Sequence, residues 1–122
     1  CTMELHWVDP PYAEMRDSTE LLGRYRVHAE ALGRPFPDPT RLPEVVGSTD
    51  MGDVSQIVPS IHPMLAVAPA GISIHAPEFA DHARGPAGDR AVLDGARAMA
   101  LTTLDCWAEP LSAIPGGTPD RT

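Results

Sequence analysis

The sequence predicts an α/β or α+β fold, of which we favour α/β, with helices that flank a sheet. Two long segments, residues 18–32 and 88–107, carry apolar residues at helical spacing. An alternating pattern at residues 3–8 and a short apolar run at 64–68 are typical of strands. Because helices and strands follow one another in a chain of 122 residues, about the length of one domain, we expect the helices to pack on a shared sheet.

The strand predictions depend on alternation and on proline boundaries. In residues 3–8, Met, Leu and Trp alternate with other residues, which indicates a strand with one buried face. The run MLAVA at 64–68 lies between prolines and suits a buried strand, and residues 71–75 extend it or form another. Residues 45–46, both valine, are expected to form a further short strand.

The helix predictions rest on end signals as well as on periodicity. Asp17 and Ser18 can each cap a helix over 18–32, and Gly33 occupies the position that favours glycine after a helix end. A short helix at 75–83 is expected to begin near its proline. The second long helix is expected to pack through an apolar stripe consisting of Val92, Leu93, Ala96, Met99, Ala100, Thr103, Leu104 and Trp107.

Composition excludes several classes of function. The formal charge is −8, with 17 acidic residues against 9 basic ones, so we expect no nucleic-acid partner and no docking on anionic membranes. The sequence has no apolar run of transmembrane length and no recognisable signal peptide. Cys1 and Cys106 form no metal-binding spacing, and two reduced thiols are typical of a cytoplasmic protein.

A polar segment within residues 47–62 raises the question of a site. Asp50 either satisfies backbone N–H groups in a turn or faces a substrate. His75 follows an apolar run and precedes a helix start, together with Glu78. At such a position an imidazole either makes an ordinary hydrogen bond or binds a metal or substrate, and the spacing leaves both open.

Three strings resemble a known family. They are GSTDMGDVSQIVPSIHPMLAVAP, HAPEFA and GDRAVLDGARAMALTTLD, and the similar region runs over roughly residues 45–107. They resemble the C-terminal part of the dinuclear-zinc amidohydrolases, the aminoacylase/carboxypeptidase-type peptidases. Within that family they are most similar to the branch of p-aminobenzoyl-glutamate hydrolases and aminoacylase-like dipeptidases.

The resemblance implies an architecture. Residues 1–13 correspond to the end of a lid and dimerisation domain, including the last strand of its ferredoxin-like fold. Residues 14–108 correspond to the C-terminal part of a catalytic α/β domain, and residues 109–122 form a flexible tail. A chain that begins with Cys1 in the middle of an alternating pattern is expected to be a piece of a longer protein. The full-length protein is expected to be a homo-oligomer.

The resemblance also assigns residues. It implies two divalent metal ions, zinc, manganese or cobalt, with His75 as the one ligand in this chain. Asp50 and His62 are placed at the substrate, and the general base is expected upstream, so we expect no catalytic residue here. Since zinc needs three or four protein ligands, we expect no complete zinc site in this chain.

The expected function is therefore that of a metal-dependent amidohydrolase or metallopeptidase, of which this chain is a C-terminal fragment. Its substrates would be the amide bonds of small N-acyl amino acids or dipeptides, and the fragment alone is expected to be inactive. The alternative is a non-catalytic binding or assembly module that keeps the fold without the metal centre.

Overall fold

The computed structural model describes residues 2–7, 10–38 and 49–112. The described residues form four helices: α1 (Thr19–Ala31), α2 (Met51–Ser55), α3 (Pro77–Ala83) and α4 (Pro86–Ala108). Helix α4 packs against both α1 and α3. Within the described ranges there is no strand, and an isolated parallel bridge joins Asp17 to Ser60. The prediction of an α/β fold with a sheet flanked by helices is therefore wrong.

The two long helices were predicted correctly, and α1 has the expected end signals. The Ser18 hydroxyl accepts a hydrogen bond from the Leu21 N–H at 3.3 Å, which satisfies one of the free donors of the first turn. Gly33 has a φ of 78°, a conformation that glycine adopts without steric cost, and it follows the helix end directly. The short helix α3 begins at Pro77, as the sequence predicted.

The strand predictions failed because an extended segment becomes a strand only when a neighbour pairs with it. Residues 2–7 are exposed and form no strand in the described chain, so the expected last lid strand is not observed. In 64–68 the Ala66 carbonyl accepts a hydrogen bond from Arg34 at 3.0 Å rather than from another strand. Residues 71–75 form no strand, with turns at 71 and 74–75, and the predicted strand at 45–46 lies outside the described residues.

The packing face of α4 also differs from the prediction. The buried residues of this helix are small and recur every three or four positions: Gly88, Ala91, Gly95, Ala98 and Thr102. The large apolar residues that were expected to pack lie on another side of the helix and are exposed. Small side chains allow two helix backbones to approach closely, so close contact with α1 and α3 selects the small stripe rather than the large one.

The buried core of the described residues is small. Tyr25 and Ala29 of α1 meet Ala98 of α4, and each is at most 2% exposed. The Tyr25 ring also contacts the Phe36 ring edge to face, with 6.2 Å between centroids. Leu32, Phe36 and Ile61 pack around this cluster.

Polar side chains add cross-links between α1, α4 and the segment near residue 66. Arg34 bonds the Asp94 carboxylate at 2.9 Å as well as the Ala66 carbonyl. His28 Nε2 lies 2.6 Å from Asp105 Oδ2. Arg24 donates at 3.1 Å to the Asp105 carbonyl, which also accepts from the Glu109 backbone N–H at 2.8 Å near the end of α4. Among the described helices, none is long and apolar enough to cross a bilayer.

Alkaline pH should destabilise the fold through Tyr25. Burial raises the pKa of its phenol above the ordinary value of 10.0. Below pH 10 the phenol is protonated in both states, so its contribution is fully present. Above pH 10 the unfolded chain loses the proton first, so stability falls as pH rises through the folded pKa.

The measurement is the free energy of unfolding by urea between about pH 8 and pH 11. Tyr25→Phe is expected to remove much of the alkaline loss, because phenylalanine has no proton to lose. Tyr12→Phe is the matched control, since Tyr12 is 59% exposed. Equal effects of the two substitutions would contradict the assignment to Tyr25.

Candidate functional site

Most of the polar side chains that follow Asp50 belong to α2 and attach this helix to residues 13–16. The backbone N–H of Ala13 donates to Asp53 Oδ1 at 2.8 Å, and that of Arg16 donates to the Ser55 hydroxyl at 2.9 Å. The Gln56 amide donates to the Glu14 carbonyl at 2.7 Å. Three polar side chains of α2 and its C-cap thus bind the backbone of residues 13–16.

The two segments touch at Gly52. A Cβ placed there would lie 1.9 Å from the Ala13 carbonyl oxygen, so only glycine fits. Ser55 is buried, and its hydroxyl donates to the Gly52 carbonyl at 2.6 Å while it accepts from Arg16. The sequence suggested a turn in which side chains satisfy backbone N–H groups. The structure gives that role to Asp53 and Ser55, which were not singled out.

A second contact fixes the chain just before His62. The Ser18 N–H donates to the Ser60 carbonyl at 2.9 Å, next to the bridge between Asp17 and Ser60. The start of α1 therefore holds the end of the polar segment in place. His62 follows two residues later and is exposed.

Asp50 lies at the start of α2 and is exposed. Its carboxylate makes no capping bond to the described backbone of α2, and Oδ1 accepts a hydrogen bond from the Thr49 hydroxyl at 3.4 Å. Unlike Asp53, it therefore remains open to solvent and to a ligand. This difference separates two aspartates that the sequence alone presents as similar.

His75 lies in the turn that leads into α3. Its backbone N–H donates to the Ser73 hydroxyl at 3.4 Å, while its side chain is exposed. Within the described segments, the imidazoles of His62 and His75 form no hydrogen bond or ion pair with the protein. Glu78, in the first turn of α3, is also exposed.

These side chains do not make up a metal centre by themselves. In residues 2–7, 10–38 and 49–112, no group of three or more His, Cys, Asp or Glu side chains is placed to hold an ion. A catalytic zinc takes three protein ligands and a structural zinc takes four. The described residues therefore do not fit a complete site, and His75 is at most one ligand.

Comparison with known proteins gives a distant relationship to a peptidase. The chain is 29% identical over 111 residues to the Xaa-Arg dipeptidase of Mus musculus and 30% identical over 111 residues to that of Homo sapiens. Each match covers 90% of this chain but only 26% and 25% of the respective relative. No family model matches the chain, and no solved structure gives a significant match. The chain thus spans about a quarter of the length of the dipeptidases it resembles.

Proposed function

We propose that this chain forms part of a hydrolase that cleaves the amide bond of dipeptides or small N-acyl amino acids. The observation that carries the proposal is the similarity to two Xaa-Arg dipeptidases across 90% of the chain. In this proposal residues 14–108 belong to the catalytic domain, with a lid segment at 1–13 before them and a tail at 109–122 after them.

The proposed roles follow from which polar groups remain available. Asp50 and His62 contact the substrate, since both are exposed and neither binds the backbone as Asp53 and Ser55 do. His75 supplies one ligand to one of two divalent ions. The other ligands and the general base come from outside the described residues, because those residues contain no group able to hold an ion.

The charge of the chain favours a cationic substrate. Because its formal charge is −8, the chain attracts positively charged molecules. This electrostatic attraction acts at short distances, where salt does not screen it. A dipeptide that ends in arginine has such a side chain. We therefore expect the exposed Asp50 carboxylate to face the guanidinium group.

An NMR titration tests this assignment without requiring turnover. Addition of the dipeptide Ala-Arg to the ¹⁵N-labelled chain is expected to shift the amide signals around Asp50 and His62. Asp50→Asn should reduce the shifts, since it removes the charge. Ala-Glu, which lacks the cation, is the matched control. A non-catalytic module predicts no selective shift with Ala-Arg, and that result would overturn the proposal.

Zinc should bind only weakly to the isolated chain. The described residues contain no cluster of three ligands, and the exposed imidazole of His75 alone offers a single ligand. Calorimetric titration with Zn²⁺ is therefore expected to give a dissociation constant in the high micromolar range or weaker. His75→Ala should lower the remaining heat more than His82→Ala does. Tight binding at one ion per chain, abolished by His75→Ala, would mean that the chain holds its own metal site.

A further inference from the structure

We propose that Thr49 and Asp53 are positioning residues, which hold the Asp50 carboxylate toward the cationic side chain of a dipeptide substrate. Their role rests on the proposed function, in which Asp50 faces that cation. Both act through the short helix α2. Thr49 caps the start of this helix, and Asp53 attaches it to a distant part of the chain.

Thr49 provides the capping that an aspartate at a helix start commonly provides. Its hydroxyl accepts a hydrogen bond from the Met51 N–H at 3.3 Å, and its carbonyl accepts one from the Gly52 N–H at 3.1 Å. Asp50 is the N-cap residue, but its side chain makes no capping bond to the described backbone of α2, and its φ of −63° and ψ of −16° are helical. The helix therefore begins without using the Asp50 carboxylate.

The backbone of Asp50 is fixed, whereas its carboxylate remains exposed. The Asp50 carbonyl accepts a hydrogen bond from the Asp53 N–H at 3.1 Å, one turn further along α2. The Thr49 hydroxyl donates to Asp50 Oδ1 at 3.4 Å, a long bond that orients the carboxylate and leaves its charge in place. A carboxylate that is already oriented loses less freedom when it binds a guanidinium group.

The position of α2 depends on its attachment to residues 13–16. A helix of five residues is not stable by itself, and Gly, Asp, Val and Ser have low helix propensity. Asp53 Oδ1 accepts a hydrogen bond from the Ala13 N–H at 2.8 Å, and this bond is the attachment nearest to Asp50 in sequence. Because the contact lies within the chain, it holds α2 whether or not further parts of the protein cover the surface.

Conservative substitutions separate positioning from charge. Asparagine at residue 53 keeps a side-chain oxygen that can accept from Ala13 but carries no charge, whereas alanine removes both. Serine at residue 49 keeps the hydroxyl that accepts from Met51 and donates to Asp50, whereas valine removes it. A residue that acted on the substrate cation through its charge would be equally impaired by asparagine and by alanine.

The test is an NMR titration of the ¹⁵N-labelled chain with Ala-Arg, in which the amide signals of Asp50 and Met51 give the dissociation constant. Asp53→Ala and Thr49→Val should each raise this constant about five-fold, the effect of losing one hydrogen bond. Asp53→Asn and Thr49→Ser should stay within about two-fold of the intact chain. If Asp53→Ala unfolds the chain, which the amide signals of α1 and α4 would reveal, Thr49→Val carries the same test.

Thr102→Val is the matched control for a general loss of stability. The Thr102 hydroxyl donates to the Ala98 carbonyl at 2.7 Å within α4, and α4 has no contact with α2 in the described part of the chain. This substitution also removes one side-chain hydrogen bond, but it should leave the dissociation constant for Ala-Arg unchanged.

Three results would overturn the positioning role: unchanged affinity in both Asp53→Ala and Thr49→Val, equal weakening by Asp53→Asn and Asp53→Ala, or equal weakening by Thr102→Val. In each case the intact chain would still prefer Ala-Arg to Ala-Glu, so the proposed function would stand. An intact chain without that preference would instead overturn the proposed function, and the positioning role with it.

Discussion

Replacement of Gly52 by alanine is expected to lower the free energy of unfolding by about 3 kcal/mol. The added Cβ would lie 1.9 Å from the Ala13 carbonyl oxygen, and that oxygen belongs to the backbone and cannot move aside cheaply. Relief of the clash requires α2 to separate from residues 13–16. Separation breaks the hydrogen bonds that Asp53 and Ser55 accept from Ala13 and Arg16.

Urea unfolding monitored by circular dichroism measures the loss, and hydrogen exchange locates it. The amides of Ala13 and Arg16 should exchange faster in Gly52→Ala. Gly23→Ala is the matched control, because a Cβ at Gly23 meets no atom within 4 Å in the middle of α1. That change should stabilise the chain by about 1 kcal/mol, the difference in helix propensity between the two residues. If Gly52→Ala stabilised the chain as well, α2 would not lie against residues 13–16.

Local signals predicted three of the four helices in the described part of the chain. Ser18 and Gly33 mark the ends of α1 through chemistry that depends on neighbouring residues alone. Pro77 marks the start of α3 in the same way. Helix α2 was not predicted, because its five residues include glycine, aspartate, valine and serine, which have low helix propensity. It forms instead where Asp53 and Ser55 bind a distant part of the chain.

Strands were overpredicted for a related reason. The sequence pattern indicates which side chains prefer burial, as in the alternation at residues 3–8 and the apolar run at 64–68. It does not indicate whether a partner strand is present. In the described chain the Ala66 carbonyl bonds Arg34 instead. Local sequence cannot supply this information, since the pairing that makes a strand is a long-range property.

The candidate site shows the same limit. The sequence located a polar segment and named Asp50, His62 and His75, and all three are exposed in the structure. It could not separate Asp50, which remains open, from Asp53, which accepts a hydrogen bond from Ala13 forty residues away. Their roles in binding substrate or metal stay predictions.

Replacement of Ala98 by leucine is expected to lower the free energy of unfolding by about 2–3 kcal/mol. Ala98 is 1% exposed and contacts the core of Tyr25 and Ala29, so three extra carbon atoms would force α4 away from α1. The same change at Ala100, which is exposed on the same helix, should leave stability within about 0.5 kcal/mol. Urea unfolding of both variants and the intact chain gives the comparison.

The pair of substitutions decides which face of α4 packs on α1. The apolar stripe predicted from the sequence includes Ala100 and not Ala98, so packing through that stripe would make Ala100→Leu the destabilising change. The structure predicts the opposite, that Ala98→Leu lowers the free energy of unfolding more than Ala100→Leu does. A larger loss at Ala100 than at Ala98 would mean that α4 packs on α1 through the large apolar stripe after all.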